Sequence, residues 1–161
     1  MGFRVADWIR TLRFAIVSGT FASVASTLAL GLLAEVEGKG ALQPANATSH
    51  WLNGEQAGSF KGADLQHTAV GYATHHAATL FWAVLFERWI AARRPLAART
   101  MLRDAVAMSA VAAVVDYGAT PKRFTPGWEF VLSKRAMAGG YAAMAAGLAA
   151  GALLTQQRAR S

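Results

Sequence analysis

Four long apolar runs divide the chain, and polar or charged residues separate them. The first, residues 14–34, has 21 positions without a charged residue. The second and the fourth, 68–86 and 136–154, each extend over 19 positions without Asp, Glu, Lys or Arg. The third is weaker, because residues 105–115 are uncharged and Asp116 then interrupts. About 20 apolar residues in a helix span the hydrocarbon core of a bilayer, so the pattern predicts four transmembrane helices at about 14–34, 68–88, 102–120 and 127–154.

The segment between the first two runs, residues 35–66, is long and mostly polar. Pro44 can begin a short helix there and Gly54 can end one. Arg4, Arg10 and Arg13 precede the first run as they would in a signal peptide, but the run exceeds the 7–15 residues of such a region. We therefore expect the first helix to be retained, with a partly helical loop on the outer side.

The composition agrees with a membrane-embedded chain. Hydrophobic residues make up 54% of the sequence and charged residues only 16%, against about 25% in typical soluble domains. There is no cysteine, which excludes disulfides, zinc–thiolate sites, iron–sulfur clusters and a thiol nucleophile. We predict a single all-α domain over residues 1–161, a four-helix transmembrane bundle in the lipid bilayer.

The net charge of +7 is distributed in clusters at the ends of the apolar runs. No aromatic–basic recognition motif accompanies these clusters, so we expect no nucleic acid partner. With both termini in the cytoplasm, ten of the 16 basic residues lie on the inner side, as the positive-inside rule favours. These ten are Arg4, Arg10, Arg13, Arg88, Arg93, Arg94, Arg99, Arg103, Arg158 and Arg160.

Small residues recur at four-residue steps in the first and last helices, where they let helix backbones approach closely. These faces can pack on each other, on a second copy of the chain or on another membrane protein. They consist of Gly19, Ser23, Thr27 and Gly31 in the first helix and Gly139, Ala143, Gly147 and Gly151 in the last.

Ionisable residues at membrane depth are costly and usually face the bundle interior. His75 lies 11 residues before Phe86, and Asp116 lies 11 residues after Ala105. Both side chains are therefore at the same height above the inner ends of their helices. We predict that Asp116 pairs with His75 or with His76 between the second and third helices. The predicted ligand-binding residues are His75, Asp116, His76, Tyr72 and Thr79.

A second group of candidate ligands lies at the outer mouth, where His67, His50 and Asp64 suit a hard or borderline cation. The alternative is that these groups only tie helices and loop together. A haem is the least favoured cofactor, since only the loop could supply a second histidine ligand. The pattern identifies no particular cofactor.

Three segments, "NATSHWLNG", "HTAVGYATHHAATLFWAVLFE" and "TPKRFTPGWEFVLSKRAMAGGYAAMAAGLA", resemble small integral inner-membrane proteins of proteobacteria, a group without an assigned activity. The resemblance implies a multi-pass location in the bacterial inner membrane and attaches no function to any residue.

Three functions remain open on the sequence. We expect a non-enzymatic membrane protein whose polar site between the second and third helices binds an ion, a proton or a small ligand. One alternative is a structural or assembly partner that acts through its small-residue faces, as a homo-oligomer or with another membrane protein. The other is a membrane enzyme or haem protein using His75 and Asp116.

Overall fold

The computed structural model describes residues 5–159, and all regular structure in that part of the chain is helical. Arg4 and Arg160, which contribute to the predicted charge bias, lie outside it. Four long helices and two short ones carry the fold: α1 (Val5–Val36), α2 (Gln43–Ala47), α3 (His50–Asn53), α4 (Val70–Ile90), α5 (Ala98–Gly118) and α6 (Lys134–Arg158). Single helical turns lie at Glu55–Ser59, Leu65–Ala69, Ala91–Arg93, Lys122–Phe124 and Trp128–Phe130.

Within residues 5–159, two helices are both long and apolar enough to cross a membrane, α1 and α6. α4 contains His75 and His76 and carries Glu87 and Arg88 in its last turn, and α5 carries Arg103, Asp104 and Asp116, so both fall short by composition. The structure therefore establishes an all-helical fold for residues 5–159, and the bundle of four transmembrane helices remains a proposal.

The start of the last helix was predicted wrongly. α6 begins at Lys134 and not near residue 127, because Ser133 caps it by accepting a hydrogen bond from Ala136 N. Gly127, upstream of this cap, has φ 80°, and an added Cβ there would lie 2.4 Å from Ala47 O. The chain turns sharply at this glycine and follows the loop before it enters α6.

The helices pack in the order α4–α1–α6–α5, with α1 and α6 as the two inner helices. α1 is antiparallel to α6 on one face, where Gly147 lies against the backbone of Ala22, and to α4 on the other, where Gly19 lies against Leu80 and Ala83. α5 packs on α6, and α4 and α5 touch very little. α4 and α5 follow each other along the chain but are therefore not close neighbours. The predicted pairing of Asp116 with a histidine of α4 assumed that they were.

The predicted outer loop is partly helical and closes one end of the bundle. Gln43 Nε2 donates to Gly58 O at 2.6 Å, and Asn46 Nδ2 donates to Phe60 O at 2.8 Å. Thr68 Oγ1 donates to Asn46 Oδ1 at 2.7 Å and so joins the loop to the approach to α4. Buried amide side chains satisfy the loop backbone, which gives this end a defined shape.

Apolar side chains cover the outside of the bundle. Leu28 and Leu32 of α1 are 63% and 65% exposed, and Val114 of α5 is 70% exposed. The outward positions of α6 are alanines. The exposed apolar residues include Ile16 and Phe21 on α1, Phe81 and Leu85 on α4, Val106 and Val111 on α5, and Ala138, Ala142, Ala146 and Ala150 on α6.

Candidate functional site

A cavity of about 80 Å³ lies where α4 and α5 separate, with α6 and the loop before it forming the other walls. His75 and Thr79 reach it from α4, Asp116 from α5, Tyr141 from α6 and Trp128 from the loop. It therefore brings together three of the predicted ligand-binding residues, namely His75, Thr79 and Asp116.

Asp116 does not pair with a histidine. Its Oδ2 accepts a hydrogen bond from the Tyr141 hydroxyl at 2.7 Å. His75 Nε2 lies 2.9 Å from Ser26 Oγ. The physical reason is the helix order: α4 packs on α1, which supplies the serine, and α5 packs on α6, which supplies the tyrosine. The carboxylate and the imidazole line one cavity without touching.

Trp128 organises the wall between them. Its ring lies edge-on to His75 at 5.6 Å between centroids and is tilted against Tyr141 at 5.3 Å. Its indole Nε1 donates to Thr48 Oγ1 at 3.2 Å, so the outer loop fixes the ring. His75 and Trp128 also line a smaller cavity of about 40 Å³ on the side of α1, into which Tyr72 reaches. The two rings thus border both cavities.

The other predicted residues of α4 take different places. His76 is half-buried and stacks on Tyr72 at 5.9 Å, and its Nδ1 is enclosed without a hydrogen-bond partner. Thr79 Oγ1 donates to His75 O at 2.8 Å, so this hydroxyl serves the helix backbone as well as the cavity wall.

The predicted metal ligands are not assembled. His67 Nδ1 lies 2.9 Å from Asp64 Oδ2, and this hydrogen bond lowers the pKa of Asp64. His50 points elsewhere, with its ring nitrogens 3.0 and 3.1 Å from Ala47 O and Lys122 O. No group of three or more His, Asp or Glu within residues 5–159 is arranged to hold a metal ion. Both histidines tie the loop to its surroundings instead.

The small-residue faces are used inside the chain, but not against each other. Gly147 and Gly151 lie against Ala22 and Ser18 of α1, next to the predicted stripe and not on it. Gly139 approaches only the side chain of Leu33, and Ala143 is half-buried.

The predicted stripe of α1 faces other elements. Gly19 lies against α4, and Gly31 lies against Ala41 of the loop. Ser23 is fully buried, while Thr27 lines the smaller cavity. α1 therefore packs through two small-residue faces, of which the sequence pattern revealed one.

A second polar region, missed from the sequence, lies at the opposite end of the bundle. Arg94 Nη2 donates to Glu87 Oε2 at 2.6 Å, and Glu87 is only 2% exposed. Nearby, the buried Asp104 accepts hydrogen bonds from Arg93 at 2.6 Å and from Arg103 at 2.9 Å. In the sequence Glu87 directly follows the second apolar run, and its position one turn after Ala83, on the buried face of α4, is the signal that could have indicated its burial.

Comparison of the chain with protein-family models, curated proteins and solved structures found no match.

Proposed function

We propose that this is a small polytopic membrane protein whose cavity between α4 and α5 binds a small cation at the carboxylate of Asp116. No enzymatic step is needed for this role. The carrying observation is that Asp116 lies two residues before the end of α5, in a cavity that the loop before α6 helps to close, and has one hydrogen bond but no basic side chain of residues 5–159 within ion-pair distance.

The outward faces of the helices support a location in the bilayer. α1, α4 and α5 each expose several large apolar side chains, and such continuous apolar surface is rare on soluble monomers. Only 39% of the most apolar stretch of α1 is buried within the chain, which argues against a core helix of a soluble protein. The arginine-rich end, where α1 begins and α6 ends, would face the cytoplasm. The resemblance to proteobacterial inner-membrane proteins agrees with this location.

The charge of the cavity favours a cation. A carboxylate at membrane depth is costly unless a counter-charge, a proton or hydrogen-bond donors accompany it. The Tyr141 hydroxyl supplies one donor and leaves room for a positive ligand. His75 is held by Ser26 and does not neutralise the carboxylate.

The walls of the cavity favour a small ammonium-type cation among the possible ions. Trp82, Phe124, Trp128 and Tyr141 line it, and aromatic rings attract organic cations through their faces. A volume of about 80 Å³ holds a small ion or a few waters. Sites for drug-sized ligands occupy about 300–1,000 Å³, so a haem does not fit.

Tryptophan fluorescence tests the proposal, because Trp128 lies in the cavity wall. The purified protein, in lipid nanodiscs, is titrated with methylammonium, Na⁺ and K⁺ at constant ionic strength. We expect a saturable change with methylammonium that Asp116→Asn abolishes. The control Glu55→Gln, at an exposed acidic residue of the loop, keeps the response.

The other outcomes separate the alternatives. A signal that follows pH and ignores all three cations indicates a proton site. An unchanged signal with every cation and across pH contradicts the proposal. The cation site is placed before the assembly alternative, because Gly19, Gly31, Gly147 and Gly151 of the small-residue faces already have close neighbours within the chain.

A further inference from the structure

A second, larger cavity of about 240 Å³ lies at the arginine-rich end of the bundle, far from Asp116 along the helices. Arg10, Thr11 and Phe14 line it from α1, and Glu87 from α4. The connection after α4 adds Arg94 and Pro95, and α6 adds Gln156. The cavity therefore has guanidinium groups on one part of its wall and apolar groups on another.

The charge of this wall is positive. Arg10 and Arg94 contribute two guanidinium groups and Glu87 one carboxylate. The pKa of Arg94 is lowered, mainly because the guanidinium is buried. The carboxylate of Glu87 raises this pKa, and the nearby positive charge of Arg10 lowers it further. An anion between the two guanidinium groups would relieve their mutual repulsion.

Arg94 is held in a defined geometry. Its Nη2 donates to Glu87 Oε2 at 2.6 Å and to Ala152 O at 3.4 Å, and its guanidinium lies 4.7 Å from the centre of the Phe14 ring. Arg10 is different, since its side chain is 62% exposed and its one close acidic partner among the described residues is Asp7 at 3.6 Å. One fixed and one adaptable guanidinium suit an anion that arrives from outside.

The cavity also lies at the level of an interfacial aromatic belt. Trp8 of α1 is 41% exposed and lies 5.8 Å from the Arg88 guanidinium, and Trp89 of α4 is 45% exposed. Exposed tryptophans and arginines together mark the headgroup region of a bilayer. The cytoplasmic leaflet, where this end would lie, carries the anionic lipids.

We propose that this cavity binds a phosphate group between Arg10 and Arg94, as the headgroup phosphodiester of an anionic phospholipid or as a free phosphate ester. Guanidinium groups bind phosphate oxygens through paired, charge-assisted hydrogen bonds. Phe14 and Pro95 offer apolar contact to the part of the ligand next to the phosphate. This site is independent of the cation site at Asp116.

The test compares two arginines of the same helix. Arg10→Gln removes the adaptable guanidinium, and Arg13→Gln removes an equally exposed charge one turn away that does not line the cavity. Arg94 is left intact, because its replacement would leave the buried carboxylate of Glu87 without its ion-pair partner. Native mass spectrometry of the detergent-purified protein measures retention of phosphatidylglycerol, with phosphatidylcholine as the neutral lipid.

We expect one phosphatidylglycerol to be retained by the wild type and by Arg13→Gln, and to bind about ten-fold more weakly to Arg10→Gln, as for one lost hydrogen bond between charged groups. A parallel titration with glycerol 3-phosphate separates the sources: binding as tight as that of the lipid assigns the site to a free phosphate ester. The proposal is overturned if Arg10→Gln and Arg13→Gln lose phosphatidylglycerol binding equally, or if the wild type retains phosphatidylcholine as well as phosphatidylglycerol. The methylammonium response of Arg10→Gln stays normal, so failure here is distinct from failure of the cation site.

Discussion

The close crossing of α1 and α6 gives the sharpest test of the fold. At Gly147 an added Cβ would lie 2.5 Å from Ala22 Cα, 2.6 Å from Ala22 N and 2.6 Å from Phe21 O. All three are backbone atoms, which cannot rotate out of the way. Gly147→Ala therefore forces apart α1 and α6, the pair of long helices with the most extensive interface.

The size of the effect follows from this distance. Ordinary contacts of a Cβ begin at 3.4 Å, so the axes must separate locally by about 0.9 Å. A gap of about 0.5–1 Å removes a quarter to a half of each van der Waals contact nearby. Overpacking of this kind costs about 1–3 kcal/mol, and the better helix propensity of alanine returns up to about 1 kcal/mol. We expect Gly147→Ala to lower the free energy of unfolding by about 1–2 kcal/mol.

Gly139→Ala is the matched control in the same helix. Its added Cβ would meet only Leu33 Cδ1, at 2.8 Å, and the end of a leucine side chain can move. We expect this variant to be as stable as the wild type or slightly more stable. Unfolding of both variants in mixed detergent micelles, followed by circular dichroism, makes the comparison. If Gly147→Ala proves as stable as Gly139→Ala, the close approach of α1 and α6 is wrong.

Three further predictions concern polar contacts. Ser26→Ala leaves a buried imidazole without its partner and should lower unfolding stability in micelles by about 1–3 kcal/mol. Ser23→Ala should change the stability little, because the buried Ser23 hydroxyl has no hydrogen-bond partner. If the two variants lose equal stability, the hydrogen bond between Ser26 and His75 is contradicted. Replacing Glu87 or Arg94 alone by Met should lower the free energy of unfolding, measured by thermal unfolding, by about 3–5 kcal/mol, because it leaves the other charge buried without its partner. The double variant should lose much less stability. If the two single losses simply add in the double variant, the pair is not coupled. The pKa of Asp64 is lowered below its ordinary value of 3.8, so its contribution to stability is complete above that pH and is lost as the pH falls through the folded value. The Tm of Asp64→Asn should accordingly depend less on pH in this range than that of the wild type.

Much of the fold follows from local patterns in the sequence. The long uncharged runs are helical in the structure, because an apolar segment withdrawn from water must satisfy its own backbone hydrogen bonds. α4 and α5 begin and end close to the predicted bounds, and the helical turns around Pro44 and His50 lie in the predicted loop. The start of α6 differs from the predicted residue 127, because Gly127 turns the chain and Ser133 is the residue that caps the helix.

Periodicity and composition determined which residues are helical, which are apolar and which polar groups lie at similar depth. They could not determine which helices are neighbours. That choice was made by close packing, since the small residues on two faces of α1 admit α6 on one side and α4 on the other and leave a gap between α4 and α5. As a result Asp116 meets Tyr141 and His75 meets Ser26, and both face one cavity. Contacts between residues far apart in the chain depend on the shape of whole helix surfaces, which no short stretch of sequence contains.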